Sequence, residues 1–117
     1  MPSSTPADLP PHWFQILLSL ADEPRHGLGI TKDVFDRTGG RTHLWPGMLY
    51  GALKQLTAAR LVDETAAPSG FESGGGRPRF YRLTAAGRRV CAAEAQRLAH
   101  LVDVARGKGM LKKPRPG

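Results

Sequence analysis

Tyr50 and Lys54 stand four residues apart in the stretch WPGMLYGALKQL, residues 45–56, which holds no acidic side chain. On a helix this spacing sets a phenol hydroxyl and an ammonium on one face, a pair suited to binding phosphate oxygens. Pro46 and Gly47 come just before them. A helix starting there aims its first backbone N–H groups outward with partial positive charge, which also suits a phosphate. Met48, Gly51 and Gln55 complete the face. Its ordinary alternative is the wet side of an amphipathic helix, but a purely solvated face would carry more charge and less exposed Met and Tyr. A second concentration of cations lies in the acid-free run from Ser73 to Ala93, which contains Arg77, Arg79, Arg82, Arg88 and Arg89. Arg77 and Arg79 sit at the tip and base of a glycine-rich loop, from which they can reach a nucleic-acid groove. Arg82, Arg88 and Arg89 read equally well as solvated charges of a strand and a helix.

Other chemistries find no support. His12, His26, His43 and His100 share no metal-ligand spacing, so no metal site is expected. GGG at 74–76 is followed by no Gly-Lys-Ser/Thr and is not a phosphate loop. No Ser, His and acid grouping suggests a nucleophile, and neither an enzyme nor a cofactor is expected. Cys91 is the single cysteine, which excludes an internal disulfide; with only Arg88 near to lower its pKa, it reads as packing rather than a redox sensor.

The whole chain agrees with the two basic stretches. Seventeen Lys and Arg against ten Asp and Glu leave a formal charge of +7 over 117 residues, a balance that favours a polyanion. Nucleic acid comes first and an anionic membrane surface second. The apolar runs fall far short of the ~20 residues of a membrane span, and the N-terminal residues lack a basic, cleavable leader. A cytoplasmic protein of one domain is expected.

Elements must hold these side chains in place. Residues 1–9 read as a disordered lead-in, and Asp8 with Pro10 and Pro11 as a helix start. HWFQILLSLAD is apolar on nearly every side, with Trp13, Ile16, Leu17 and Leu20 on one face and Phe14 and Leu18 on another. Such a helix lies between two layers of its own chain or under a second subunit. With so few elements available, the second subunit is the expectation. A second helix spans Gly27 to Arg37 and ends at Gly39 in the left-handed cap position. The third runs from Pro46 to about Ala59, held by Leu49, Leu53 and Leu56. LVDETA and RPRFYRL read as two strands of a hairpin, and APSGFESGGG between them as a loop with no means of ordering itself. From Thr84 a helix runs to about Arg106, ~35 Å at 1.5 Å per residue. On it Cys91, Ala95, Leu98, Val102 and Ala105 repeat every four and three residues, with Leu101 alongside, as in a coiled-coil seam. That seam is too weak to hold a dimer alone, and the first helix supplies the missing apolar surface. Trp13, Phe14, Leu17, Cys91, Leu98, Leu101, Val102 and Ala105 are therefore expected at a self-association interface.

Three helices followed by a hairpin is the winged helix-turn-helix plan, mainly α, here with a C-terminal dimerisation helix. Residues 10–83 form the winged unit, 84–107 the helix and 108–117 a basic tail. In that plan the third helix enters the major groove and the hairpin tip follows the backbone or minor groove. Pro46, Gly47, Met48, Tyr50, Lys54, Arg77 and Arg79 are the candidate DNA contacts.

The segments quoted, with Pro-Gly-x-Leu-Tyr at 46–50 and Tyr-x-Leu-Thr-x-x-Gly at 81–87, resemble the PadR-like transcriptional regulators over about residues 12–106. The resemblance implies a homodimeric repressor whose last helix packs on its partner, with Tyr50 and Lys54 contacting DNA from the third helix and Arg77 and Arg79 from the wing. It also implies release from DNA by a small, often aromatic effector. Apart from the resemblance, a dimer pore lined by Trp13, Phe14 and the last helix is the place expected for a flat ligand. Three residues depart from the family pattern. Met48 replaces a Thr or Ser, removing a hydroxyl. Trp45 replaces a small capping residue, and packing under the wing is its expected use. Arg60 replaces a glycine, so a left-handed cap there carries mild strain.

A dimer places its two third helices in successive major grooves of a pseudo-palindromic duplex operator, ~34 Å apart. The alternative function is a winged-helix module that binds protein or RNA without operator specificity.

Overall fold

The computed structural model describes residues 9–71 and 78–112. Four helices and a small sheet follow in the order α1 (Pro11–Ser19), β1 (Arg25–His26), α2 (Gly27–Arg37), α3 (Pro46–Ala58), β2 (Val62–Thr65), β3 (Phe80–Leu83) and α4 (Ala85–Gly107). The strands are antiparallel in the order β1-β3-β2. This is a winged helix-turn-helix with a long helix attached.

The core lies where the three short helices meet β3 and the start of α4. Ile16, Leu17 and Leu20 from α1 and its end meet Ile30 and Val34 of α2, while Leu49, Leu53 and Leu56 close the cluster from α3. Each fully buried Leu or Ile contributes about 1.5–3 kcal/mol of transfer free energy, so the stripe at 49, 53 and 56 is what seats α3. Leu9 is also buried in this cluster and belongs with the domain rather than with a lead-in. Asp8 lies outside the described residues, and the N-cap of α1 is Pro10, which makes no side-chain cap.

Helix α1 packs on both α2 and α4 of its own chain. Its apolar girth is thus largely used inside its own chain, and the expectation of a second subunit covering it is corrected for Leu17, which is 0% exposed. Cys91 is corrected likewise: it is 6% exposed and packs in the same core, so it cannot face a partner. Trp13, Phe14 and Leu18 are half-buried against the cluster. A polar network that no sequence pattern announces ties α1 to α2. Ser19 Oγ donates to Asp33 Oδ2 (2.9 Å), and Arg37 reaches Asp33 Oδ2 (2.9 Å), Ser19 Oγ (3.1 Å) and Gln15 Oε1 (2.8 Å).

Two junctions fix the later elements. Helix α3 ends with Arg60 in the left-handed conformation, φ 63°, as expected where arginine stands in place of a cap glycine. Arg60 and Leu61 N–H close the helix on the carbonyls of Thr57 and Leu56, each at 3.0 Å. Thr84 caps α4 by accepting from Gly87 N (2.9 Å) and donating to Arg60 O (2.7 Å), while its own N–H donates to Leu61 O (3.1 Å). Gly87 lies so close that a Cβ there would collide with the Leu61 carbonyl. The loop after β2 also finds an anchor: Phe71 meets His26 and Phe80 edge-on, with ring centroids 5.2 and 4.9 Å apart.

Candidate nucleic-acid interface

Helix α3 starts with Pro46 at a position whose N–H has no helical partner, behind Trp45, which makes no side-chain cap. Burial of Leu49, Ala52, Leu53 and Leu56 turns Pro46, Gly47, Met48, Tyr50, Gly51, Lys54 and Gln55 outward, and all seven are exposed. A Cβ built on Gly47 or Gly51 would meet nothing within 4 Å. Among the described residues no packing requires either glycine, although glycine within a helix costs about 0.5–1 kcal/mol relative to alanine. Lys54 makes no ion pair among the described residues.

Tyr50 is half exposed, and its hydroxyl lies over Gly27 at the first turn of α2, where any side chain would strike it. The glycine of the His26-Gly27 pair is thus the seat of the tyrosine ring. With Lys54, Thr57, Glu64, Arg79 and Tyr81, Tyr50 lines an open cleft of about 420 Å³ between α3 and the hairpin. Burial above all, then the charges of Glu64 and Tyr50, raise the Tyr81 phenol above its usual value against the pull of Arg79.

Arg79 stands on the rim of this cleft, but with a partner. Its Nη1 lies 3.3 Å from Glu64 Oε1, because β2 and β3 pair with Glu64 opposite Tyr81. Both side chains are exposed, so the pair is worth at most about 1 kcal/mol and exchanges easily for a stronger anion. Of the other arginines, Arg82 faces Asp63 at 3.9 Å, and Arg88 gives two hydrogen bonds of 3.2 Å to the Ala21 carbonyl, tying α4 to the end of α1. Arg88 is therefore structural. Arg89 is exposed. Arg77 lies outside the described residues.

Among the described residues Trp45 does not pack under the wing. It is 63% exposed and stacked on His43 with ring centroids 3.9 Å apart. Arg41, exposed in the same turn, is a cation that attention to the helices alone passes over. Its signal is the alternation of Arg41, His43 and Trp45, which sends side chains to one side of a non-helical segment. Among the described residues no group of His, Cys, Asp and Glu can hold a metal ion, and no helix is long and apolar enough to cross a membrane. Burial raises the Cys91 thiol above its usual value, with Arg88 pulling weakly the other way.

On helix α4 only Gly87 and Cys91 are buried. Leu101, Val102 and Val104 are exposed further along it, with Leu98 and Ala105 partly covered.

The chain is 40% identical over 86 residues to an uncharacterized 37.1 kDa protein in transposon TN4556 of Streptomyces fradiae; the matched region covers 74% of this chain but 22% of that protein. The crystal structure of a PadR family transcription regulator from hypervirulent Clostridium difficile superposes with a TM-score of 0.67 at 25% identity, covering 81% of this chain and 94% of that one. A PadR-like transcriptional regulator from Bacillus cereus reaches 0.70 at 15% identity over 86% and 93% of the two chains, a likeness of fold. A sequence model of the transcriptional regulator PadR-like family matches residues 16–93, from α1 through the hairpin into α4. That match spans the core, the outward face of α3 and the clamped start of α4 together, and it decides the matter: the chain belongs to the PadR-like family of transcriptional regulators, not to a family of enzymes.

Proposed function

We propose that this protein is a homodimeric repressor that binds a pseudo-palindromic DNA operator and leaves it on binding a small aromatic effector. The observation that carries the DNA reading is the outer face of α3: seven exposed positions without an acid, two of them glycines that no packing among the described residues requires. Pro46, Gly47 and Met48 would approach the backbone and groove edge. Tyr50 would hydrogen-bond a phosphate and Lys54 would neutralise one. Arg79 and Arg77 would follow from the wing, Arg79 by leaving Glu64.

The dimer reading rests on α4, where Leu98, Leu101, Val102 and Ala105 form a seam beyond the point where the domain covers the helix. A second copy, with Trp13 and Phe14 at its edge, would bury that seam, and a flat effector would fit between Trp13, Phe14 and the last helix of the second copy. Residues 10–83 would then read DNA and 84–107 would hold the pair together.

A mobility-shift assay with the region upstream of its own gene tests the reading. Lys54→Ala and Tyr50→Phe should fold as wild type and bind more weakly; Phe keeps the ring that rests on Gly27, which Ala would remove. Equal binding by both variants would refute the assignment. Binding that ignores duplex sequence, or prefers RNA, would favour an interaction module without an operator. Replacing Leu101 and Val102 by Asp should give monomers by sedimentation, and tryptophan emission unmoved by a panel of aromatic compounds would count against the effector.

A further inference from the structure

A second concavity, of about 410 Å³, opens between the start of α1 and the turn that leads into α3. His12, Gln15, Arg41, Thr42, His43 and Met48 line it, and among the described residues no carboxylate does. Every polar side chain on its wall can donate a hydrogen bond. Gln15 has its oxygen occupied by Arg37 Nη1 (2.8 Å), so its NH2 is what remains to offer. Arg41 makes no ion pair among the described residues.

The turn is built, not loose. Gly39 and Gly40 take φ of 62° and 82°, and Gly40 N–H closes α2 on the Phe35 carbonyl at 2.8 Å. Thr38 Oγ1 donates to Val34 O (2.8 Å) and accepts from Thr42 N (3.0 Å), and Leu44 is buried in the core. On the outside, His43 stacks on Trp45 and meets Phe35 edge-on with centroids 5.8 Å apart. An exposed aromatic ladder therefore stands beside a donor-lined groove, and Met48 belongs both to that groove and to the outer face of α3.

We propose that this groove is a second DNA contact, taking a backbone phosphate that flanks the segment entered by α3. Arg41 supplies the charge, His12, Gln15 and Thr42 supply hydrogen bonds, and the His43–Trp45 stack packs against the adjoining deoxyribose. Polymeric DNA fits better than a free anion: one exposed guanidinium holds a lone ion with at most about 1 kcal/mol, but adds fully as one of several cations along a polyanion. The proposal rests on the reading of α3 as the groove helix.

The test compares wild type, Arg41→Ala and Lys54→Ala on one operator duplex over a range of salt, with thermal melts to confirm folding. Removing one cation from a phosphate should flatten the plot of log affinity against log salt by about 0.9, or about 1.8 for a symmetric dimer. A flatter slope for Arg41→Ala supports the groove. An unchanged slope for Arg41→Ala beside a flatter one for Lys54→Ala overturns the groove and leaves the α3 reading standing. Unchanged slopes for both, or no binding by wild type, overturn both. Tryptophan emission tests the stack: DNA should alter it in wild type and not in Trp45→Phe, and an equal change in both removes the stack from the interface.

Discussion

Gly51→Ala separates what α3 needs for folding from what it needs for its partner. Position 51 is helical, exposed, and open to a Cβ with nothing within 4 Å. Alanine should therefore stabilise the protein by about 0.5–1 kcal/mol, through helix propensity alone. For a domain of this size that raises Tm by roughly 2–6 °C. Against DNA the same methyl enters the face proposed to meet the duplex. Overfilling a close-packed interface costs about 1–3 kcal/mol, which lowers affinity about 5- to 150-fold. Calorimetry and a mobility-shift titration on one preparation measure both effects. A variant more stable than wild type and equal to it in DNA affinity would show that the bare face does not meet the duplex closely. A variant no more stable would refute the propensity argument.

Arg60→Gly should relieve the left-handed strain and raise stability by up to about 1 kcal/mol, read as an upward shift in Tm; a lower Tm would mean the arginine stabilises its junction by a route the geometry lacks. Asp33 offers a pH test. Burial raises its carboxyl, but hydrogen bonds from Arg37 and Ser19 and the charges of Arg37 and Arg25 outweigh this and hold it below its usual 3.8. The stabilisation is thus complete above that value and lost as pH falls through the lower folded one. Wild type should lose Tm more steeply below about pH 4 than Asp33→Asn, which at pH 7 should already be about 1–2 kcal/mol less stable; parallel acid curves would refute the role. Cys91, buried with a raised thiol, should resist a thiol reagent in the native protein and react fully when unfolded; rapid native labelling would contradict its burial.

Much of the architecture is legible in the sequence because it is periodic. Leucines at 49, 53 and 56 announce α3, Gly39 marks the end of α2, and the alternation around Tyr81 marks β3. What periodicity does not reveal is what covers a face. Leu17 and Cys91 lie on the faces their spacing predicts, yet their own chain buries them. β1 is two residues long and exists only through pairing with Tyr81 and Phe80, so no local pattern announces it. The Arg79–Glu64 pair depends on register across 15 residues of sequence, and a count of cations misses the acid that answers one of them. Phe71 stands as an apolar residue in a glycine-rich loop, and its two aromatic partners come from different strands.

The welded corner at Arg60, Thr84 and Gly87 has a mechanical consequence. With α3's last turn clamped to the first turn of α4, the domain and its long rod turn as one piece. In a pair of such chains, the gap between the two reading helices would then follow the crossing angle of the two rods instead of the slack in a linker. Over a lever of ~35 Å, about five degrees of tilt shifts the far end by roughly 3 Å, close to the ~3.4 Å rise of one base step. A small wedge at the rods' crossing would thus be enough to put both helices out of step with the grooves.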